Sequence, residues 1–154
     1  MQDPEEHSGQ HPRPNLTPNL IQIRAIDHIV LRTENLKTLL AFYCEVLPCV
    51  IERELSPEVG LVQLRAGQSL IDLVDVNSQL GRMGGPAPAP TAHNVDHFCL
   101  EIDPVDEQQL LDWLESHHIA GSEFARRYGA NGFGRSIYIN DPDGNTVELK
   151  LAAV

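Results

Sequence analysis

The sequence predicts an α+β protein made of two β-α-β-β-β modules, in which the helices lie on one face of the sheet. Two observations lead to this fold class. The first is an internal repeat, because three short segments recur in the same order in the two halves of the chain. The second is the hydrophobic pattern, which in each half passes from a period of two to a helical period and back.

The repeat pairs apolar segments that have matching polar positions. Ile26-Asp27-His28 matches Val95-Asp96-His97, so that each half opens on a strand carrying an Asp-His pair. The paired segments are residues 26–31 with 95–100, 39–43 with 110–114, and 71–73 with 147–149. The distance between partners grows along the chain, which indicates longer loops in the second half rather than a different plan.

Each half contains one predicted helix and four predicted strands. The first helix has leucines and Tyr43 at helical spacing, and the second begins at Pro104 with an acid-rich first turn that suits the helix dipole. A tight turn at Asp141-Pro-Asp-Gly-Asn145 separates the last two strands. The predicted helices are residues 35–46 and 104–118. The predicted strands are residues 26–32, 49–54, 60–65, 69–76, 95–102, 122–127, 135–140 and 145–151.

The chain divides into an arm and one domain. Residues 1–20 hold four prolines and few large hydrophobic residues, which predicts a disordered arm. Residues 21–154 form the domain, made of the repeats 24–77 and 93–152. A Gly- and Pro-rich linker, residues 78–92, joins the two repeats.

Composition and charge exclude several classes of protein. There are 22 acidic against 11 basic residues, a net charge of −11, which disfavours binding to nucleic acid or to an anionic membrane. No apolar stretch is long enough to span a bilayer. Three cysteines without a zinc spacing, and a start without the pattern of a secretory signal, predict a reduced, cytoplasmic protein.

Period two along the strands places chemically active side chains on one sheet face. If the apolar positions face the helices, His28, His97 and Glu148 all lie on the open face, and the repeat adds Asp72 to them. Two imidazoles and a carboxylate suit one divalent ion, whether zinc, nickel, iron(II), manganese or cobalt. Three protein ligands leave positions free for a substrate. Asp72 is either a fourth ligand, a base, or a residue that supports a ligand.

A second group of residues points to an anionic ligand. Three arginines lie close together in a stretch without acids, and Gly129, Gly132 and Gly134 give this segment the freedom of a mobile substrate loop. An ordinary flexible hairpin is the alternative interpretation. The substrate-binding residues predicted in this segment are Arg126, Arg127, Asn131 and Arg135.

The motifs resemble those of the vicinal oxygen chelate superfamily, which includes glyoxalase I, extradiol dioxygenases, fosfomycin thiol transferases and bleomycin-binding proteins. The match covers about residues 24–152, and its most specific part runs from Ser136-Ile-Tyr138 through Asp141-Pro-Asp-Gly-Asn145 to Glu148. The resemblance implies that the two modules form a cup-shaped mixed sheet with the helices on its outer face. It implies a central metal held by His28, His97 and Glu148, which chelates two neighbouring oxygens of a small molecule. The Ser-x-Tyr shared with the fosfomycin transferases implies that Ser136 and Tyr138 also bind the substrate, and the family as a whole implies a homodimer.

Function follows from the resemblance only at the level of class. We expect a glyoxalase-like lyase or isomerase, in which the catalytic residues are Glu148, Asp72 and Tyr138 and a carboxylate moves a proton. Asp72 stands where glyoxalase I has a glutamate. The first alternative is an extradiol-type dioxygenase or a transferase with a thiol cosubstrate. The second alternative is a protein that binds a small molecule, such as a drug, without chemistry.

Overall fold

The computed structural model describes residues 20, 21 and 23–153. The predicted disordered arm, except for Leu20, lies outside the described residues. The strands are His28–Thr33 (β1), Val50–Glu54 (β2), Leu61–Ala66 (β3), Ser69–Asp75 (β4), His97–Ile102 (β5), Ala125–Gly129 (β6), Gly132–Asn140 (β7) and Thr146–Leu151 (β8). The helices are Leu36–Ala41 (α1), Gln79–Arg82 (α2) and Glu107–Ser116 (α3). None of the helices in this described part is long and apolar enough to cross a membrane.

The strands form two four-stranded mixed sheets, in the orders β1-β4-β3-β2 and β5-β8-β7-β6. In each sheet the first strand of the module pairs in parallel with the last, and the other pairs are antiparallel. This confirms the predicted α+β class and its two β-α-β-β-β modules. The strand that carries a histidine therefore lies directly beside the strand that carries a carboxylate, once in each module.

The two modules share one hydrophobic core. Side chains from β1, β3 and β4 of the first module and from β7, β8 and α3 of the second belong to a single cluster of buried residues. Fully buried members include Leu31, Leu39, Tyr43, Leu64, Leu73, Leu114, Ile137 and Leu149. Because one face of each sheet is packed into this common core, the opposite face of each sheet lies on the outside. We call these two outer surfaces the open faces.

Two helical segments differ from the sequence prediction. The first helix is regular only over Leu36–Ala41, and a π-helical turn, Phe42–Val46, continues it and buries Phe42, Tyr43 and Val46. The second begins at Glu107 rather than at Pro104, because the Asp106 side chain accepts a hydrogen bond from the Gln109 N–H and caps the helix there. Inside the linker, Ser78 caps the short helix α2 in the same way.

A buried polar network joins the two modules. The Tyr43 hydroxyl donates to Asp141 Oδ2 at 2.8 Å, and the Asn145 side chain donates to the same oxygen at 2.8 Å. Asn94 donates to Asn145 Oδ1 and to the Arg32 carbonyl, which extends the network to β1. Burial raises the pKa of Asp141. The carboxylate of the Asp-Pro-Asp-Gly-Asn turn thus holds the modules together.

We expect Tyr43→Phe to lower the free energy of unfolding by about 1–3 kcal/mol, because the buried Asp141 carboxylate loses a hydrogen-bond donor. Urea unfolding followed by circular dichroism measures this change. Tyr128→Phe is the matched control, since the Tyr128 side chain is largely exposed at 75%. Equal stability of the two variants would contradict a structural role for the Tyr43 hydroxyl.

Candidate functional site

The second module brings His97, Glu148 and Tyr138 together on its open face. His97 Nε2 lies 3.6 Å from Glu148 Oε2, and Glu148 is only 6% exposed. Tyr138 is the cross-strand neighbour of Glu148, and its ring stands edge-on to the His97 ring with the centroids 5.5 Å apart. Asp96 Oδ2 accepts from His97 Nδ1 at 2.6 Å. This contact fixes the ring and leaves Nε2 as the nitrogen available to a ligand.

The first module has an equivalent pair, His28 and Asp72. Asp27 Oδ2 accepts from His28 Nδ1 at 2.8 Å, so Nε2 is again the available nitrogen. The hydrogen bond to Asp27 raises the pKa of His28, and the nearby charge of Asp72 adds to this effect. Asp72, on the neighbouring strand β4, is 5% exposed. Its Oδ2 accepts from Gln63 Nε2 at 3.0 Å, whereas its buried Oδ1 has no hydrogen-bond partner among the described residues.

These side chains fit a divalent metal ion. Imidazole nitrogens and carboxylate oxygens are the donors that transition metals prefer, and each histidine is oriented through its other nitrogen. The buried Asp72 Oδ1 adds an observation from the structure itself, because an ionised oxygen without a donor is unfavourable unless a cation or a proton meets it. The residues that would hold the ion are His28, Asp72, His97 and Glu148.

The four donors occur as two pairs rather than as one cluster. Within the part of the chain that the structure describes, no group of three or more His, Cys, Asp or Glu side chains is close enough to hold a metal ion. His28 and Asp72 lie on neighbouring strands of the first sheet, and His97 and Glu148 lie on neighbouring strands of the second.

Arg127 is the predicted substrate-binding arginine that lies next to the second pair. Its Nη1 donates to the Ser136 carbonyl at 2.7 Å and to Ser136 Oγ at 3.0 Å. Its guanidinium carbon lies 4.2 Å from the centre of the Tyr138 ring. The Tyr138 ring also contacts the His97 ring, so Tyr138 lies between the Arg127 guanidinium and a candidate metal ligand.

The structure places Arg126, Asn131 and Arg135 elsewhere, whereas Ser136 and Tyr138 lie beside Arg127. Arg135 points to the helix side, where it donates to Glu107 at 2.7 and 2.9 Å. Arg126 lies over the Phe133 ring at 3.6 Å. Asn131, at the hairpin turn, donates to Glu101 at 2.9 Å. Neighbouring residues of a strand point to opposite faces, which separates Arg126 from Arg127.

The predicted mobile loop is a regular β-hairpin, and its glycines have a packing role. A Cβ atom at Gly129 would lie 2.9 Å from Lys150 Nζ, and one at Gly134 would lie 2.8 Å from Lys150 Cε. Lys150 is 5% exposed and donates to the Gly132 carbonyl at 2.6 Å. The glycines therefore make room for a buried lysine side chain, which the sequence reasoning missed although Lys150 follows Glu148 at the same strand parity.

Two further histidines among the described residues have other neighbours, and Cys99 is the cross-strand neighbour of Glu148. The His93 ring is packed against Gly144, and the His117 ring lies 4.3 Å from the Trp113 ring at the end of α3. All three cysteines are free thiols. Burial raises the pKa of Cys99 to about 11, and the charge of Glu148 adds to this shift. At neutral pH this thiol is protonated, which makes it a poor nucleophile.

Paired β-α-β-β-β modules, each with a histidine on its first strand and a carboxylate on its last, define the class of α+β protein to which this fold belongs. A family model covers nearly all of this fold. The chain belongs to the Glyoxalase/Bleomycin resistance protein/Dioxygenase superfamily, whose model matches residues 25–149.

One curated relative and several solved structures are similar to the chain. Biphenyl-2,3-diol 1,2-dioxygenase 2 of Rhodococcus globerulus is 27% identical over 128 residues, which cover 80% of this chain and 60% of that protein. The chain thus spans less than two-thirds of that relative. A protein from the mobile metagenome of V. Pseudocholerae has 25% identity and a TM-score of 0.68, covering 88% of this chain and all of that one.

A further solved structure supports the fold alone. Lactoylglutathione lyase from Agrobacterium tumefaciens has 24% identity and a TM-score of 0.59, and the match covers 85% of this chain and 96% of that one. At this level of identity the likeness confirms the arrangement of the modules but carries no information on substrates.

Proposed function

We propose that the protein is a divalent-metal-dependent enzyme that acts on a small, oxygenated, anionic substrate as a glyoxalase-like lyase or isomerase. The observation that carries this proposal is Asp72, a buried carboxylate beside His28 whose Oδ1 has no partner among the described residues. It provides a fourth donor in addition to His28, His97 and Glu148. In the vicinal oxygen chelate superfamily that the sequence resembles, extradiol enzymes use two histidines and one glutamate, whereas glyoxalase I has a carboxylate at the position of Asp72.

The proposed chemistry is a proton transfer next to a polarised carbonyl. A bound divalent ion, whether zinc, nickel, iron(II), manganese or cobalt, would polarise the substrate oxygens. Glu148 is the side chain that we assign to the proton transfer, because it is longer than Asp72 and stands beside Tyr138. Tyr138 lines the reacting region. Arg127, held by Ser136, binds the anionic group of the substrate.

We further propose that the complete site forms in a homodimer, with His28 and Asp72 from one copy and His97 and Glu148 from the other. The separation of the two pairs within one chain supports this arrangement. Further support comes from β1, which is an edge strand and carries the half-exposed Val30 between His28 and Arg32. Just before β1, Ile23 and Ile26 are exposed at 90% and 80%, an apolar surface that a second copy would cover.

Two features favour a dioxygenase as the second candidate function. The similarity to the Rhodococcus enzyme is one, and the His28, His97 and Glu148 set, typical of non-haem iron(II) oxygenases, is the other. A transferase with a thiol cosubstrate and a purely binding protein remain predictions from the resemblance. Three free thiols are typical of a reducing compartment, so we propose a cytoplasmic location.

Elemental analysis of tag-free protein purified without chelators tests the proposal. We expect about one transition metal per chain, which is the stoichiometry of two shared sites in a two-fold dimer. Protein loaded with each ion is then assayed with lactoylglutathione, with an aromatic diol under oxygen, and with fosfomycin plus a thiol. Turnover of the diol alone would establish the dioxygenase instead. Absence of metal after incubation with every candidate ion would overturn the metal-enzyme proposal and favour a binding protein.

The role of Arg127 is tested by Arg127→Gln. We expect the KM for an anionic substrate to rise about 10-fold or more, because a charge-assisted hydrogen bond contributes about 1.5–3 kcal/mol. Metal content should not change. Arg135→Gln is the matched control, since that side chain pairs with Glu107 on the opposite side of the sheet. A rise in KM for Arg135→Gln equal to that for Arg127→Gln would contradict the assignment.

A further inference from the structure

We propose that Gln63 is a positioning residue, which holds Asp72 so that one carboxylate oxygen is presented to the metal ion. The inference rests on the proposed metal site and deepens it. Of the roles predicted for Asp72, this inference assigns that of a metal ligand rather than that of the base. Gln63 has no counterpart in the motifs that pointed to the site, because it lies on β3, which carries none of them.

The contact between the two side chains follows from strand pairing. Gln63 and Asp72 are direct cross-strand neighbours on the antiparallel strands β3 and β4, so both side chains project from the same sheet face. Gln63 Nε2 donates to Asp72 Oδ2 at 3.0 Å. This hydrogen bond occupies one oxygen of the carboxylate, and the other oxygen, Oδ1, is left buried and without a donor among the described residues.

Arg53 determines which way the Gln63 amide faces. Arg53 Nη1 donates to Gln63 Oε1 at 3.3 Å from the neighbouring strand β2. An arginine donates hydrogen bonds and accepts none, so the amide oxygen must face Arg53 and the amide nitrogen must face Asp72. Arg53, Gln63 and Asp72 thus form a chain of hydrogen bonds in which each donor is fixed by its neighbour.

In the second module, the residue opposite the carboxylate makes different contacts. Tyr138 occupies the position opposite Glu148 that Gln63 occupies opposite Asp72. There the Tyr138 ring packs against the His97 ring, and the Tyr138 side chain does not donate to the Glu148 carboxylate. Only in the first module does the side chain opposite the carboxylate donate a hydrogen bond to it. We therefore expect Gln63 to matter for metal binding in a way that no residue of β7 does.

The test is a Co²⁺ titration of the full-length, metal-free protein, followed by the visible absorption of the bound ion. For Gln63→Leu we expect the Kd to rise about 10–100-fold, the usual effect of removing a partner that orients a metal ligand. The intensity and position of the bands should also change, because the Asp72 oxygen is no longer held in place. Gln68→Leu is the matched control, since that glutamine is exposed in the turn between β3 and β4.

A second variant keeps the proposal testable if Gln63→Leu does not fold. Arg53→Leu alters an exposed side chain, and we expect a smaller rise in Kd because Arg53 acts only through Gln63. In the double variant the two effects should not add, as expected for residues of one hydrogen-bonded chain. Additive effects would contradict the chain of hydrogen bonds.

The outcomes separate this inference from the proposed function. If the unaltered protein binds no Co²⁺, the proposed metal site fails and this inference fails with it. If the unaltered protein binds Co²⁺ and Gln63→Leu binds it with the same Kd and spectrum, the metal site stands and the positioning role of Gln63 is overturned. A lower kcat with unchanged Co²⁺ binding would instead make Asp72 the base.

Discussion

Replacing His97 by alanine is expected to remove bound metal from the purified protein and to abolish turnover. His97 Nε2 and Glu148 Oε2 are 3.6 Å apart, so they are placed to share one ion, and alanine leaves Glu148 as the only donor of that pair. Loss of a direct ligand should exceed the roughly 10–100-fold effect on metal affinity that accompanies loss of an orienting partner. Elemental analysis and Co²⁺ titration measure the change.

The control for this variant is another histidine on the same module. His118 is exposed after α3 and has a positive φ of 58°, a conformation that asparagine tolerates. His118→Asn should therefore keep both fold and metal. A metal content of His97→Ala equal to that of the unaltered protein would show that the ion lies elsewhere, and would remove the basis for assigning Glu148 as a ligand.

Mixing two inactive variants is expected to restore activity. His28→Ala and His97→Ala should each be inactive alone, because every site in either homodimer lacks one imidazole. In a mixed dimer with shared sites, one site carries both substitutions and the other carries none. Random exchange makes half of the dimers mixed, so about a quarter of the wild-type sites should return.

The control is a mixture of His28→Ala with the double variant His28→Ala/His97→Ala. No site in this mixture can contain both histidines, because neither chain has His28. Subunits are exchanged by partial unfolding in urea and dialysis, and each variant is also treated alone. Activity that returns only in the first mixture supports a site shared between copies. No recovery, although mixed dimers are present, would place the whole site within one chain.

Several elements could be predicted from the sequence because they depend on local pattern. Period two identified the strands that carry His28, His97 and Glu148, and the internal repeat identified Asp72 as the counterpart of Glu148. The structure adds that first and last strands pair in parallel, which puts each histidine beside its carboxylate. Which strands pair is decided by tertiary packing. The repeat indicates only that the pairing is the same in both halves.

The relation between the modules could not be predicted from the same patterns. Alternation tells which side chains share a face of one sheet, yet it contains no information on how two sheets are packed. The shared core is built by Tyr43, Leu114 and other residues that any amphipathic helix or strand would supply. The placement of the His28 and His97 pairs relative to each other depends on this packing.

The hairpin shows a different limit of sequence reasoning. Three arginines near three glycines predicted a mobile cationic loop, whereas Gly129 and Gly134 make room for Lys150 and the arginines point to different sides. Charge density along a sequence does not distinguish Arg127, which stacks on Tyr138, from Arg135, which pairs with Glu107. The predicted strand 122–127 contains both Arg126 and Arg127, so strand parity already places their side chains on opposite faces of the sheet.

The common core has a consequence for how this protein can change over evolutionary time. The residues that make folding cooperative, such as Leu31 and Leu149, all lie on the inner sides of the sheets. A module separated from its partner would expose its share of this apolar surface, so neither half is expected to persist as an independent unit. The exposed positions of the outer surfaces take no part in this core. Single substitutions at those positions can therefore change specificity, whereas the two modules must be retained together for the protein to fold.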